Sequence, residues 1–250
     1  MSLRVNAFVD KAAVEEYNFK VMFNAKGKCK LMSKNEIAKR YLLFVISLFF
    51  AALGVAITKH GELGVSPISS VANVMSCKFT ALSLGNWLII WNCILILGQV
   101  VLLRKNFKLI QLLQLPLSFL FGWFTDFGMW CVSFIPVNTY PVRLAFVLCG
   151  IVVLGFGVSL SVIANVIMNS GEAFVKAIAD ISGKKFGNIK IGFDVCCVVA
   201  SLALSLVFFG GKIVGTREGT VLTALLTGVT VNFFVKHLSD PLNKLMAKGK

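Results

Sequence analysis

Charged side chains are scarce in this chain, and acidic ones are the scarcest. Only 14% of its 250 residues are charged, with 11 Asp and Glu against 25 Lys and Arg, and there are just two His. Hydrophobic residues make up 57%, and the mean hydropathy is +0.84. A soluble domain carries about 25% charged residues. The composition therefore excludes a soluble globule and predicts a protein whose solvent is lipid.

The motifs of common enzyme classes are also missing. We find no nucleophile motif, phosphate loop, zinc spacing or dinucleotide glycine fingerprint. His60 and His237 lack a partner at metal-ligand spacing, and the seven Cys form an odd, unpaired set typical of small buried hydrophobes. We therefore expect no enzyme activity, no metal and no cofactor. The excess of Lys and Arg lies at segment ends and in the tails, which indicates loop anchoring and not nucleic-acid binding.

Long apolar segments dominate the rest of the chain. Six of them, of roughly 17 to 25 residues, are long enough to cross a hydrocarbon core, and an open sheet would leave unpaired backbone groups there. These segments predict an all-α polytopic membrane protein. They are Tyr41 to Thr58, Asn86 to Leu103, Leu109 to Val132, Arg143 to Asn165, Asn188 to Phe209 and Thr220 to Val235. Two shorter segments, Ser66 to Phe79 and Gly171 to Ile181, are candidates for half-helices that enter the bilayer and turn back.

The sequence repeats itself at an offset of about 103 residues. The matching landmarks are Arg40 with Arg143, Gly54-Val55 with Gly157-Val158, Gly85-Asn86 with Gly187-Asn188, Asn92 with Asp194, and LFGWFTDF (120–127) with LTGVTVNF (226–233), which aligns Asp126 with Asn232. Shared composition of two membrane segments is the alternative explanation. The repeat predicts a tail at 1–39, membrane repeats at 40–137 and 138–236, and a tail at 237–250.

The orientation of the two repeats depends on the short segments. If they are re-entrant, each repeat crosses three times and the second copy is inverted; if they cross, the protein has eight spans in a 4+4 parallel arrangement. Inversion, which we favour, places the cluster Arg104, Lys105 and Lys108 on the same side as Lys184, Lys185 and Lys190.

Positive charge predicts that both tails are cytoplasmic. The charged residues are Lys34, Lys39 and Arg40 before the first span and Lys236, Lys244, Lys248 and Lys250 after the last. Residues 1–31 lack the order of regions that marks a secretory signal. We expect Met32, directly before the first span, to be the true start of translation.

The short segments carry the candidate site. In the first, Gly61, Gly64 and Pro67 interrupt the helix, and Ser66, Ser69, Ser70 and Asn73 supply polar groups. A helix that begins at Pro67, with Ser66 as its cap, would direct its positive end at an anionic group or a carbonyl oxygen. An ordinary capped turn at the surface is the alternative.

The second short segment replaces these hydroxyls by amides and charges. Its candidate residues for solute binding are Asn169, Glu172 and Lys176, and we expect Glu172 and Lys176, four residues apart, to neutralise one another. Charges inside a membrane segment are costly and mark function by default. A structural ion pair or an interfacial helix end is the alternative.

Two carboxylates lie inside apolar runs, Asp126 and Asp194. Neither has an obvious neighbouring cation, so we expect a partner from another helix, with Lys176 for Asp194. Both are candidates for proton-linked or supporting roles. A hydrogen bond that locks two helices together is the equal alternative.

Four motifs resemble the YczE/YyaS/YitT family of bacterial membrane proteins. They are GELGVSPISSV, RKNFKLIQLLQLPLSFLFG, VIANVIMNSGEAFVKAIA and FGNIKIGFD, and the resemblance covers residues 35 to 240. It implies an integral protein of a bacterial inner or plasma membrane, and it implies neither a substrate nor functional residues.

The paired polar segments favour a secondary transporter or permease of a small, unidentified solute, with a polar site between the two repeats. The alternative is a membrane scaffold or maturation factor that acts through a protein partner, or as a homo-oligomer. In that case the buried polar groups would only hold helices together.

Overall fold

The structure is a computed structural model that describes residues 21–23, 29–31, 34–104, 107, 109–184 and 186–247. The expected start at Met32 lies outside the described residues, as do Lys105, Lys108, Lys185, Lys248 and Lys250.

The described residues form eight α-helices, one 3-10 turn at Leu109–Leu113 and two paired strands of three residues. The helices are α1 Lys34–His60, α2 Pro67–Lys78, α3 Leu84–Leu103, α4 Gln114–Val132, α5 Tyr140–Ala164, α6 Ser170–Ser182, α7 Phe186–Phe208 and α8 Glu218–Ala247. Strands β1 (Val21–Phe23) and β2 (Cys29–Leu31) pair antiparallel.

Six of the helices, all except α2 and α6, are long and apolar enough to cross a membrane. Apart from the short strand pair before α1, the described elements are helical, and the prediction of an α-helical membrane protein with six such segments is confirmed. The helices extend beyond the apolar segments: α1 already begins at Lys34, and α8 continues to Ala247, into the predicted C-terminal tail. Hydropathy marks only the part of a helix that matches the hydrocarbon core, so it misses polar turns that continue the same helix.

Helices α1 and α5 form the centre of the fold and run antiparallel. Gly54 packs on Leu154, and Gly157 packs on Ala51. Nearer the end of α1, a Cβ on Gly150 would lie 2.5 Å from the Thr58 methyl group. As the residue numbers rise along α1, those of the contacting residues on α5 fall, so the two helices point in opposite directions. Glycine allows this approach because it has no Cβ.

One further span lies parallel to each central helix. Helix α4 packs along α1, where the rings of Phe49 and Phe124 are 5.3 Å apart and Gly128 meets Ala56. Helix α8 packs along α5, where the rings of Phe156 and Phe234 are 5.3 Å apart. Arg40 bridges Ile163, further along α5, and Asn243, further along α8. In both pairs of helices the residue numbers of successive contacts rise together, so α4 runs in the direction of α1 and α8 in that of α5.

We name the two ends of the helical bundle by α1, which begins at end A and finishes at end B. At end A, Arg40 donates to the carbonyls of Ile163 and Ala164 at the last turn of α5, and to Asn243 on α8. At end B, Arg143 forms an ion pair of 3.0 Å with Glu62. The first residues of α1 and the last turns of α8 therefore lie at the same end.

The short helices α2 and α6 have 12 and 13 residues. At 1.5 Å per residue they are about 18 and 20 Å long, too short for a core of about 30 Å. Helix α2 follows α7: Ser70 lies near the Cys197 carbonyl, midway along α7, and Lys78 donates to the Phe208 carbonyl at its end. Helix α2 therefore starts near the middle of the bundle and finishes at end B.

Candidate functional site

The N-terminal end of α2 is built by three serines. The Ser66 hydroxyl donates to Ser69 Oγ at 3.0 Å, while Ser70 Oγ donates to the carbonyls of Pro67 and Cys197 at 2.6 and 3.4 Å. Ser66 stands at the cap position, as the sequence predicts, but its side chain makes no hydrogen bond to the backbone N–H groups of the first turn. That turn keeps its positive end without a side-chain cap.

The N-terminal end of α6 is held by a buried polar network. Asn169 Oδ1 accepts from the Ser170 N–H at 2.9 Å. The Ser170 hydroxyl lies 3.1 Å from that of Ser118, and its carbonyl accepts from Gln99. Gln99 and Gln114 exchange amide hydrogen bonds of 3.1 and 3.3 Å. The network ties the start of α6 to α3 and α4.

Sequence reasoning missed Ser118 and Ser170 because a serine inside an apolar segment is common and often bonds to its own helix. The available signal was the recurrence of Gln in the facing segments, since a buried amide needs partners for both of its ends.

The starts of the two short helices contact each other. A Cβ on Gly171, the second residue of α6, would lie 3.1 Å from the Ile68 side chain, the second residue of α2. The short helices therefore meet at their N-terminal ends.

A cavity of about 440 Å³ lies at end B between α2 and the segment before α8. Asn73 lines it and is 1% exposed, and its amide N–H donates to the Gly215 carbonyl. That bond fixes the orientation of the amide, and Asn73 Oδ1 has no hydrogen-bond partner among the described residues. Lys59 and Arg217 add positive charge to the lining.

Two smaller cavities, of about 180 and 140 Å³, lie toward end A. Lys176 and Gln114 line the larger one, and Glu172 lines the smaller one. The segment 166–168 that leads into α6 lines both, so the two cavities are adjacent.

Residues that line the cavities at the two ends stand about 103 residues apart, the offset at which the sequence predicts a repeat. The predicted alignment places Asn73 at end B opposite Lys176 at end A. It also places Glu62 opposite Asn165, and both have positive φ, 56° and 48°. Residues other than Gly seldom adopt this conformation.

Two of the expected ion pairs are wrong. Lys176 pairs with Asp180 at 3.6 Å and not with Glu172, and Asp194 pairs with Lys190 and not with Lys176. Both observed pairs join residues four apart on one helix, the spacing that places side chains on the same face. The expectation that Asp194 lacks a neighbouring cation overlooked Lys190, which lies four residues before it within the predicted segment Asn188 to Phe209.

Asp126, a residue of α4, contacts the first residues of α3. Its Oδ1 accepts the Gly85 N–H at 2.8 Å, and its Oδ2 accepts the Ser83 hydroxyl. A carboxylate on α4 thus holds the positive end of α3.

The sequence-predicted site residues are distributed over the bundle. Asn73 lines the cavity at end B, while Glu172 and Lys176 line the two at end A. The three serines and Asn169 surround the meeting point of the short helices. Asp126 and Asp194 lie on the long helices α4 and α7.

Two curated proteins of Bacillus subtilis (strain 168) are similar to the chain. The uncharacterized membrane protein YczE is 26% identical over 86% of this chain and 94% of its own length, and the uncharacterized protein YyaS is 25% identical over 78% and 92%. No solved structure matches the chain. The model of a family of unknown function, DUF6198, matches residues 38–236. With most of its length matched, the chain belongs to the DUF6198 family, alongside its similarity to the membrane proteins YczE and YyaS.

Proposed function

We propose that this protein is a secondary transporter of a small polar solute, built from two inverted repeats of three spans and one half-helix each. One observation carries the proposal: the two half-helices meet at Ile68 and Gly171, with cavities toward opposite ends on either side of that contact. This is the arrangement in which a solute is reached first from one side of a membrane and then from the other.

The antiparallel course of α1 and α5 supports the inversion. With half-helices that turn back, the fourth span runs opposite to the first; with half-helices that cross, the two would be parallel. The contacts of Gly54 with Leu154 and of Gly157 with Ala51 have the antiparallel order. Arg40 and Arg143, which the repeat aligns, also lie at opposite ends of this helix pair.

The residues we assign to solute binding are those at the starts of the half-helices and in the cavities, with Asp126 and Asp194 in supporting or proton-linked roles. Uncapped N–H groups at the start of α2 favour an anionic or carbonyl oxygen. Asn73 Oδ1, buried and unpartnered among the described residues, favours a solute that donates a hydrogen bond.

We further propose that the protein resides in a bacterial cell membrane with both termini in the cytoplasm. End A carries Lys34, Lys39, Arg40 and Lys244 on the outer turns of α1 and α8. Cytoplasmic loops and tails carry an excess of such charges.

The test is thermal unfolding of the purified protein with a library of metabolites, amino acids and ions, followed by uptake of any hit into proteoliposomes. A bound solute stabilises the folded state by about 2.7 kcal/mol at one hundred times its Kd. Glu172→Gln and Asn73→Leu change cavities at opposite ends, and we expect each to abolish the stabilisation and the uptake.

The matched control is Asp240→Asn, which removes a carboxylate from an exposed turn of α8 and leaves binding and uptake intact. If no solute stabilises the protein and both cavity variants merely unfold earlier, the transporter proposal fails. A membrane scaffold that acts through a protein partner would then take its place.

A further inference from the structure

Four glycines occupy equivalent places in the two halves of the chain. The repeat aligns Gly85 on α3 with Gly187 on α7, and Gly122 on α4 with Gly228 on α8. The same alignment places Asp126 opposite Asn232. The surroundings of the two pairs can therefore be compared directly.

In the first half the two glycines form a tight helix contact. A Cβ on Gly122 would lie 2.6 Å from the Ile89 side chain and 2.8 Å from the Gly85 carbonyl oxygen, and Gly85 in turn packs against the backbone of Gly122. Asp126 closes the contact with its hydrogen bond to the Gly85 N–H. Helices α3 and α4 are in direct backbone contact here.

In the second half the equivalent glycines, Gly187 and Gly228, have no close neighbours. A Cβ on Gly187 or on Gly228 would have no described atom within 4 Å. Asn232, the counterpart of Asp126, is exposed. Glycine lowers the stability of a helix interior, where Gly228 lies, and in this conformation neither Gly187 nor Gly228 gains a close contact in return.

Exposure of the two helices shows the same difference. Only 17% of the membrane-crossing part of α7 and 6% of that of α8 is buried, against 33% for both α3 and α4. The asymmetry thus extends along the helices and is not confined to the glycines.

We propose that α7 and α8 close on each other through Gly187 and Gly228 in a second conformation, while α3 and α4 separate. Asn232 then holds the start of α7 as Asp126 holds the start of α3. The inference rests on the proposed inverted repeats, since two copies of one unit can exchange conformations and thereby expose a site to opposite sides in turn.

The test measures the distance between α7 and α8 with two spin labels, in a variant without the other native Cys. One label is on Cys196 of α7 and the other on Val229→Cys of α8, and both positions are exposed. Their counterparts on α3 and α4, Ile94 and Trp123, are exposed as well, so the labels stay outside the closed contact. We expect two populations of distances.

A second measurement blocks the closed contact. Gly228→Leu places a side chain where the equivalent Gly122 meets the Ile89 side chain and the Gly85 carbonyl, so we expect the short distance to disappear. The control is Gly192→Leu, on α7 with open surroundings but about 140° around the helix from Gly187, and it keeps both populations. A single long distance, or an unchanged short distance in Gly228→Leu, overturns the proposal.

The outcomes separate this proposal from the transporter proposal. Two distances, the short one lost in Gly228→Leu, with no solute found, support the exchange of contacts and leave transport unsupported. A solute that binds and is taken up, with no closure of α7 on α8, supports transport and overturns the exchange.

Discussion

Single residues decide how closely the central helices approach. Gly157 packs against the Ala51 backbone and Gly54 against that of Leu154, so the α1 and α5 backbones touch where any side chain would separate them. Contacts of this kind are a main source of attraction between helices in lipid, where no hydrophobic force acts between them.

Gly157→Ala tests this contact. The added Cβ would meet the Ala51 backbone, so we expect the variant to lose about 1 to 3 kcal/mol of stability by overpacking. Gly192→Ala is the matched control, since Gly192 has open surroundings and Ala improves helix propensity by up to about 1 kcal/mol. Thermal unfolding in detergent compares the two; an equal response in both variants would contradict the close contact.

A second residue-scale prediction concerns the buried amides. Gln99 is 0% and Gln114 3% exposed, and each is the other's partner. Gln99→Leu leaves a buried amide without its partner and costs about 1 to 3 kcal/mol. The double variant Gln99→Leu, Gln114→Leu removes both polar groups and recovers part of this loss. If the losses of unfolding free energy in the single variants add up to that of the double variant, the two amides do not form a reciprocal pair.

Sequence reasoning identifies residue types well and partners poorly. The polar residues of both short segments and the two carboxylates stand out against an apolar background, so they are found without a structure. Their partners depend on where each helix begins: Lys190 belongs to the first turns of α7, and it therefore pairs with Asp194 on the same face. Lys176 has carboxylates four residues away on both sides, and the preferred order of an acidic residue before Lys favours Glu172, although the structure pairs Lys176 with Asp180.

At the scale of elements, helix ends govern the arrangement. Arg40 is 5% exposed and binds the last carbonyls of α5, where a cation complements the negative helix end. Glu36, one turn earlier, forms an ion pair with it at 3.2 Å. At the start of α3 the charges are reversed: the Asp126 carboxylate accepts the Gly85 N–H at the positive end of that helix.

Asp126→Ala tests the role of that carboxylate. It removes the acceptor for the Gly85 N–H and for the Ser83 hydroxyl, and losing a cap of this kind costs about 1 to 2 kcal/mol. Asn232→Ala, at the equivalent but exposed position, should leave stability within about 0.5 kcal/mol. The melting temperatures of the two variants measure the two losses of stability. If Asn232→Ala lowers the melting temperature more than Asp126→Ala, the assignment of the closed contact to α3 and α4 is wrong.

The positions of the spans are predictable from hydropathy, but their packing is not. All six spans are located because lipid demands about 20 apolar residues, whereas the polar turns that extend α1 and α8 are missed. The position of α2 along α7 depends on contacts between residues 127 and 130 apart in the chain, and the network at the start of α6 on contacts 52 and 71 apart. A single sequence shows the polar residues of such contacts but not which of them pair.

At the scale of the whole molecule, the account depends on the direction of the second half. The antiparallel course of α1 and α5, the meeting of the two half-helices and the cavities toward opposite ends all follow from one choice, namely that the short helices turn back within the membrane. The claim that the repeats are inverted therefore depends on the side of the membrane on which each loop lies.

Single cysteines in a variant without native Cys test that claim most directly, by labelling with an impermeant maleimide in sealed vesicles of known orientation. The sites are Arg104→Cys after α3, Asn138→Cys before α5 and Lys184→Cys after α6. We predict that Arg104→Cys and Lys184→Cys react from the same side and Asn138→Cys from the other. Asn138→Cys and Lys184→Cys reacting from one side, with Arg104→Cys on the opposite side, would instead mean eight crossings and parallel repeats, and would contradict the account.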